Sequence, residues 1–165
     1  SLNYKDALSA SGSPGVTKNY PHTPGIDAVG HVQESSDSAF KEGDVVIVTG
    51  YDLGMNTAGG FGQYIRVPAH WVIKLPNGLN EVEAMSLGTA GLTAGLSIQA
   101  LEKYSSTTGF EGSKSIVTGS TGGVGSRAVM LLSKLGSEVT AVTGKNTQTS
   151  FLENLGDNFL PNRNS

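Results

Sequence analysis

The chain has no cysteine, which removes disulfides, thiolate nucleophiles and cysteine-bound zinc from its chemistry. It also lacks any apolar run near the roughly 18 residues of a membrane-spanning helix, and it shows neither a signal peptide nor an N-x-[ST] sequon. Charge is sparse: 15% of residues are charged, and the net charge is −3. With no basic excess, neither nucleic acid nor a membrane surface is expected as a partner. A cytoplasmic globular protein is the default expectation. Glycine, by contrast, is abundant, with 23 among 165 residues, and it gathers in turns rather than in a low-complexity tract.

The order of elements implied by the sequence changes along the chain. Up to residue 84 it reads mostly as short β segments. "AVGHVQE" (28–34) and "DVVIVTG" (44–50) are β-branched runs, while "GQYIRVP" (62–68) and "HWVIKLP" (70–76) each stop at a proline. Strands at this spacing predict a small barrel or a partly open sheet. "NEVEAMSLGTAGLTAGLSIQALEK" (80–103) predicts helix, with Glu81 and Glu83 in its first turn. Gly88, Gly91 and Gly95 mark either a break into two helices or tight helix packing. Residues 104–114 read as a loop.

From residue 115 the pattern becomes strand, glycine turn, helix and strand. Val124, Ala128, Leu131, Leu132 and Leu135 define an apolar helical stripe, and Gly136 stands where a helix-terminating glycine belongs. "EVTAVTG" (138–144) is the next strand, and "NTQTSFLENLG" (146–156) the next helix. The turn "VTGSTGGVGS" (117–126) fits a G-x-G-x-x-G spacing with Ser120, Gly122 and Gly125 in the three glycine places. A bare match is weak, but a strand before it, an amphipathic helix after it and a second strand at the right distance raise its value. Gly122 and Gly123 would let backbone approach a pyrophosphate at the helix N-terminus, and Gly125 would permit close helix–strand packing. The alternative is a glycine-rich turn without a ligand.

The end of the second strand bears on which dinucleotide would bind. An acidic residue that binds a ribose 2′-hydroxyl should fall near residue 143 or 144, and the sequence there is Thr143-Gly144-Lys145. No carboxylate would repel a 2′-phosphate, and Lys145 with the Thr143 hydroxyl could hold one, so NADP is favoured. A solvated surface lysine is the plainer reading of Lys145. A doubly wound nucleotide domain needs two such halves, and too few residues follow Gly125 for both. The chain, which opens on Ser1 rather than methionine, is therefore expected to be a piece of a longer protein.

"SLNYKDAL" (1–8), "PGIDAVGHV" (24–32), "FKEGDVV" (40–46), "GGFGQY" (59–64), "GTAGLTA" (88–94) and "VTGSTGGVGS" occur in an order that resembles the medium-chain dehydrogenase/reductase superfamily. More closely, they resemble its zinc-free quinone oxidoreductase-like branch, which includes NADPH-dependent acrylyl-CoA reductases. The resemblance spans essentially the whole chain. It implies an α/β protein: a partial GroES-like β-barrel catalytic domain (1–87) lacking its N-terminal strands, followed by the first part of a Rossmann, doubly wound parallel-sheet, NADP-binding domain (88–165). In zinc-containing relatives a Cys begins the segment that is "NYKD" here, and Gly-His-Glu occupies Gly25-Ile26-Asp27. Asn3 and Ile26 stand in place of two ligands, so no metal is expected. His22, His31 and His70 show no metal spacing and read as surface or structural residues.

The resemblance further implies NADP(H) contacts from Tyr4, Thr121, Gly122, Gly123, Val124, Thr143, Gly144, Lys145 and Arg163. The reaction it implies is hydride transfer from NADPH to the β-carbon of an α,β-unsaturated carbonyl such as acrylyl-CoA, with a proton added at the α-carbon. The protein would position the cofactor and stabilise the enolate oxygen. Asn3 and Tyr4 are the candidate donors. Asp6 and Asp27 are candidate members of a proton relay, and either could equally be a structural carboxylate holding a turn. The expected partner is a small molecule, an acyl-CoA thioester or a quinone, and the full-length protein is expected to be a homodimer. Two alternatives stay open: an NADPH-dependent quinone reductase, and a redox-inactive relative that binds or senses NADPH.

Overall fold

Residues 1–104, 109–145, 149–155 and 158–161 are described by a computed structural model, in which two compact units are distinct, Ser1–Thr89 and Ala90–Ser165. The first unit carries an antiparallel sheet in the order β1 (Asp27–His31), β2 (Val45–Thr49), β3 (Val72–Lys74). Asp27 lies opposite Thr49 and His31 opposite Val45, while Ile47 faces Ile73. Ile26, Val48, Leu53 and Ala84 are its buried apolar side chains. At the entry to β2, the Asp44 carboxylate accepts the Lys41 N–H at 3.0 Å and pairs with the Lys74 ammonium at 2.8 Å. The hydrogen bond from Lys74, reinforced by that N–H, holds the Asp44 carboxyl below the usual carboxylate range.

Three features of this unit depart from the expected β-rich reading. A helix, α1 (Tyr4–Ala10), occupies the start of the chain, and Asp6 at its third position accepts the N–H of the N-cap residue Asn3 at 2.7 Å. That Asn-x-x-Asp spacing is a helix-start signal that the short-strand reading passed over. The strand expected over 62–68 is not formed. Just before it, the N–H groups of Gly59, Gly60 and Phe61 donate to the carbonyls of Thr23, Gly25 and Pro24 at 2.7, 2.8 and 3.0 Å, so the backbone is tied to a turn rather than to a ladder. The strand expected over 70–76 shrinks to β3, because a 3₁₀ turn occupies Ala69–Trp71.

The helix predicted over 80–103 is α2 (Glu81–Tyr104). It begins on a reciprocal cap: Asn80 N–H donates to Glu83 Oε2 at 2.9 Å, and Glu83 N–H donates to Asn80 Oδ1 at 3.0 Å. Of the three glycines singled out, Gly88 makes the break, with φ +48° and ψ −153°.

In the second unit, β4 (Lys114–Thr118), α3 (Gly123–Lys134), β5 (Glu138–Thr143), α4 (Thr149–Glu153) and β6 (Asn158–Pro161) follow the predicted alternation. The strands are parallel, in the order β4-β5-β6. The first part of the segment expected to form the second helix, 146–148, and its end at Gly156 lie outside the described residues. Gly136, at φ +84°, ends α3 as predicted: its N–H donates to Ser133 O and that of Ser137 to Leu132 O, at 3.0 and 3.1 Å.

The apolar face of α3 is rotated from the predicted stripe. Ser126, Val129 and Leu132 are buried, and Val129 and Leu132 pack with Ile98, Val139, Ala141 and Leu152. Val124 and Leu135, expected inside, are 42% and 47% exposed. The cause lies at Gly125, where a Cβ would run into the Gly119 carbonyl. The helix approaches through its smallest residues, and the line continuing from them passes through Val129. Val129→Ala is expected to lower the unfolding free energy of the full-length protein by about 2 kcal/mol, and Val124→Ala by less than about 0.5 kcal/mol, in urea titrations.

Candidate functional site

The residues singled out in the sequence fall in both units. In the first, Asp27 at the start of β1 is 2% exposed, and its carboxylate is fully engaged. Asn3 Nδ2 donates to Oδ2 at 2.8 Å. Thr89, where helix resumes after Gly88, donates its N–H to both oxygens at 3.0 and 3.1 Å and its hydroxyl to Oδ1 at 2.7 Å. Four donor contacts compensate a carboxylate removed from water, a group that burial alone would make costly. Gly88 is required there twice over: its φ is +48°, and a Cβ would come within 2.5 Å of Asp27 Oδ2.

Asp6 is buried as well, at 3% exposure. Its Oδ2 accepts the Asn3 N–H, and its Oδ1 accepts the Ile26 N–H at 3.0 Å. Asn3, Asp6 and Asp27 thus form one polar cluster, and one N–H of the Asn3 amide is committed to Asp27. Tyr4 stands beside the cluster in sequence but points to solvent, 82% exposed, with no hydrogen-bond partner among the described residues.

The three histidines are apart. His22 Nε2 is 3.0 Å from the Gly54 carbonyl, His31 is 3.4 Å from Glu81 Oε1, and the His70 ring meets Tyr51 and Trp71 edge-on. No group of three or more His, Cys, Asp or Glu side chains converges among the described residues.

In the second unit, the turn between β4 and α3 meets the end of β5. Ser120, in the first-glycine place, is fully buried, and it donates its hydroxyl and its N–H to the Val142 carbonyl at 3.0 and 3.2 Å. Thr121 Oγ1 lies 3.0 Å from Thr143 Oγ1, which also accepts the Lys145 N–H at 3.1 Å. Gly122 is the N-cap of α3 and brings no side chain to it. The N–H groups of Gly123, Val124 and Gly125 therefore open a helix with no residue of their own to cap them. A Cβ on Gly123 would meet only Ala90 at 3.4 Å, whereas one on Gly125 would strike backbone. At Gly122, Gly123 and Gly125 the turn has backbone without side chains, and beside it Gly144 and Lys145 are exposed. That donor set fits a phosphate-bearing nucleotide. Arg163 lies outside the described residues.

Comparison with known proteins agrees with this geometry. Residues 1–77 match the family described as the alcohol dehydrogenase GroES-like domain. Over 155 residues the chain is 45% identical to acrylyl-CoA reductase AcuI of Ruegeria pomeroyi, covering 94% of this chain and 46% of that protein. The crystal structure of the yhdH oxidoreductase from Salmonella enterica in complex with NADP superposes with a TM-score of 0.92 at 43% identity, over 98% of this chain and 49% of that one. The chain belongs to the medium-chain dehydrogenase/reductase superfamily. The putative quinone oxidoreductase YhfP of Bacillus subtilis is 44% identical over 94% of this chain and 46% of that protein. Its crystal structure with NAD bound gives a TM-score of 0.90 at 43% identity, over 98% of this chain and 49% of that one. The chain spans about half the length of the curated relatives it matches.

Sequence reasoning found the members of the superfamily pattern but missed some of their partners. Nothing in spacing connects Asp27 to Thr89, although "GTAGLTA" was among the segments carrying the resemblance. Likewise, the spacing put Ser120 in the first-glycine place but gave no sign of its two hydrogen bonds to Val142. Removing the Asp27 carboxylate takes away the acceptor of the Asn3 amide contact and of the three contacts from Thr89. Asp27→Ala is expected to destabilise the full-length protein by about 3 kcal/mol in denaturant unfolding. Asp27→Asn, which keeps one acceptor oxygen, is expected to destabilise it less.

Proposed function

We propose that the full-length protein is a zinc-independent, NADPH-dependent reductase of an α,β-unsaturated thioester such as acrylyl-CoA. One observation carries this reading: at the end of β5, Thr143, Gly144 and Lys145 bring hydroxyl, space and a cation, and no carboxylate, to the place where an acidic residue would bind a ribose 2′-hydroxyl. The likeness to a relative named acrylyl-CoA reductase, 45% identical, supports the substrate class. We divide the chain into a GroES-like catalytic domain over 1–87 and the first part of an NADP-binding Rossmann domain over 88–165. The whole protein is read as a cytoplasmic homodimer.

The chemistry that NADPH supplies when bound is hydride donation from its nicotinamide ring to the substrate β-carbon. The chain's own residues hold, orient and donate. The N–H groups opening α3 take the pyrophosphate, with Thr121, Gly122, Gly123 and Val124 forming the turn, while Thr143, Gly144 and Lys145 take the 2′-phosphate. Asn3 keeps one amide N–H beyond the one given to Asp27, and this second N–H is the donor for the enolate oxygen. Tyr4, with its free phenol, is assigned to the cofactor. Asp6 and Asp27 have both oxygens occupied by N–H or O–H donors. They therefore serve here as structural carboxylates fixing Asn3, which favours the turn-holding reading over the proton relay.

A second reading, a quinone reductase, is supported by the 44% identity to a putative quinone oxidoreductase. Steady-state NADPH oxidation by the full-length protein separates the two. Saturable turnover with acrylyl-CoA and none with quinones is expected; the reverse would favour the quinone enzyme, and NADPH binding without turnover on either would make the protein a binding or sensing relative. Lys145→Glu is expected to raise the Kd for NADPH about tenfold or more while that for NADH changes less than about twofold. Equal changes for both would remove the 2′-phosphate role.

A further inference from the structure

We propose that Thr121 and Thr143 act as a single hydroxyl unit that reads the 2′-phosphate, with Thr121 as a positioning residue for that recognition; the inference rests on the NADPH reading above. The two hydroxyl oxygens are 3.0 Å apart, so one proton lies between them. Thr143 Oγ1 already accepts the Lys145 N–H at 3.1 Å. Two hydroxyls bring two protons, and only one is used within the pair. Neither side chain has another partner among the described residues, so one proton is left to point outward whichever oxygen carries it. With Thr143 only 4% exposed, an outward proton without an acceptor is costly on that side.

A phosphate dianion suits this leftover proton because it only accepts, whereas a ribose hydroxyl brings a proton of its own that must also be placed. The same Thr143 oxygen pins the backbone of Lys145, which makes no ion pair among the described residues. Hydroxyl and ammonium are thereby held on one short turn. The pair is also held from the residues before it: Ser120, preceding Thr121, gives its hydroxyl and its N–H to the carbonyl of Val142, preceding Thr143. Two neighbouring residues on one turn thus engage two neighbouring residues on the other. Removing either hydroxyl of the pair removes the function of both.

The test is a double-mutant cycle in the full-length protein, titrated with adenosine 2′,5′-bisphosphate and, separately, with adenosine 5′-monophosphate. Thr121→Val and Thr143→Val are each expected to weaken the bisphosphate about tenfold and the monophosphate less than about twofold, with the double variant no weaker than either single one. Thr121→Ser is expected to restore binding. Additive losses, equal losses for both nucleotides, or an unaltered Thr121→Val would overturn the inference while leaving NADPH preference in place. Equal wild-type affinity for the two nucleotides would overturn the NADPH reading and this inference together. Should Thr143→Val unfold, the partly exposed Thr121 still decides the matter through the Val and Ser pair, each checked by its melting temperature.

Discussion

A carboxylate held away from water governs the first unit. Asp27 is 2% exposed, and in that environment an ion persists only if hydrogen-bond donors replace the solvent it has lost. Asn3 supplies one of them and Thr89 the rest. This requirement reaches into two separate stretches of chain, at residue 3 and at residues 88–89. It fixes the rotamer of the N-cap residue of α1, it selects a residue with both an N–H and a hydroxyl at position 89, and it leaves room at position 88 for no side chain at all. Asp6 repeats the device on a smaller scale, joining Asn3 to Ile26, the residue before Asp27. The two carboxylates are therefore neighbours in a hydrogen-bond network whose common member is Asn3.

The second unit is organised by backbone proximity instead. Gly125 lets α3 come against the Gly119 carbonyl, and everything on the helix is rotated accordingly. A hydrophobic stripe read from the sequence assumes that the helix buries its richest face. Here the helix buries the face that its smallest residues allow to approach, and Val129 rather than Val124 becomes part of the core. Close approach at the turn took precedence over the average hydrophobicity of a side.

This contrast explains how much could be read in advance. The strand–turn–helix–strand order and the glycine that ends α3 were legible because each rests on a local rule of backbone geometry, strand period, helix spacing or a positive φ; the glycines of α2 left a break and tight packing open, and Gly88 makes the break. The first strand pair was legible for the same reason. The segment 62–68 was misread because its alternation is real but its neighbour's hydrogen bonds go to the turn at 23–25, a pairing set by tertiary contact. Spacing was enough to put Gly122, Gly123 and Gly125 at the turn between β4 and α3, and Thr143 and Lys145 at the end of β5. The Asp27–Thr89 contact could not be placed in this way, because 62 residues separate the partners and no periodicity links them.

Ser120 shows how a departure from a motif can keep the motif's function by other means. Glycine at that place is ordinarily explained by the tight turn it permits, with φ/ψ freedom as the benefit. Here the positive φ is displaced by one residue, onto Gly119 at +61°, so position 120 is free to carry a side chain. The hydroxyl placed there is turned inward to the Val142 carbonyl, where a larger or purely apolar group would leave less hydrogen bonding at a fully buried position. A glycine would provide the turn and the N–H bond to Val142, but not the hydroxyl bond beside it. The serine adds the hydroxyl bond, one residue before the Thr121–Thr143 pair. The first-glycine place thus joins the β4–α3 turn to the end of β5 by a side chain as well as by backbone.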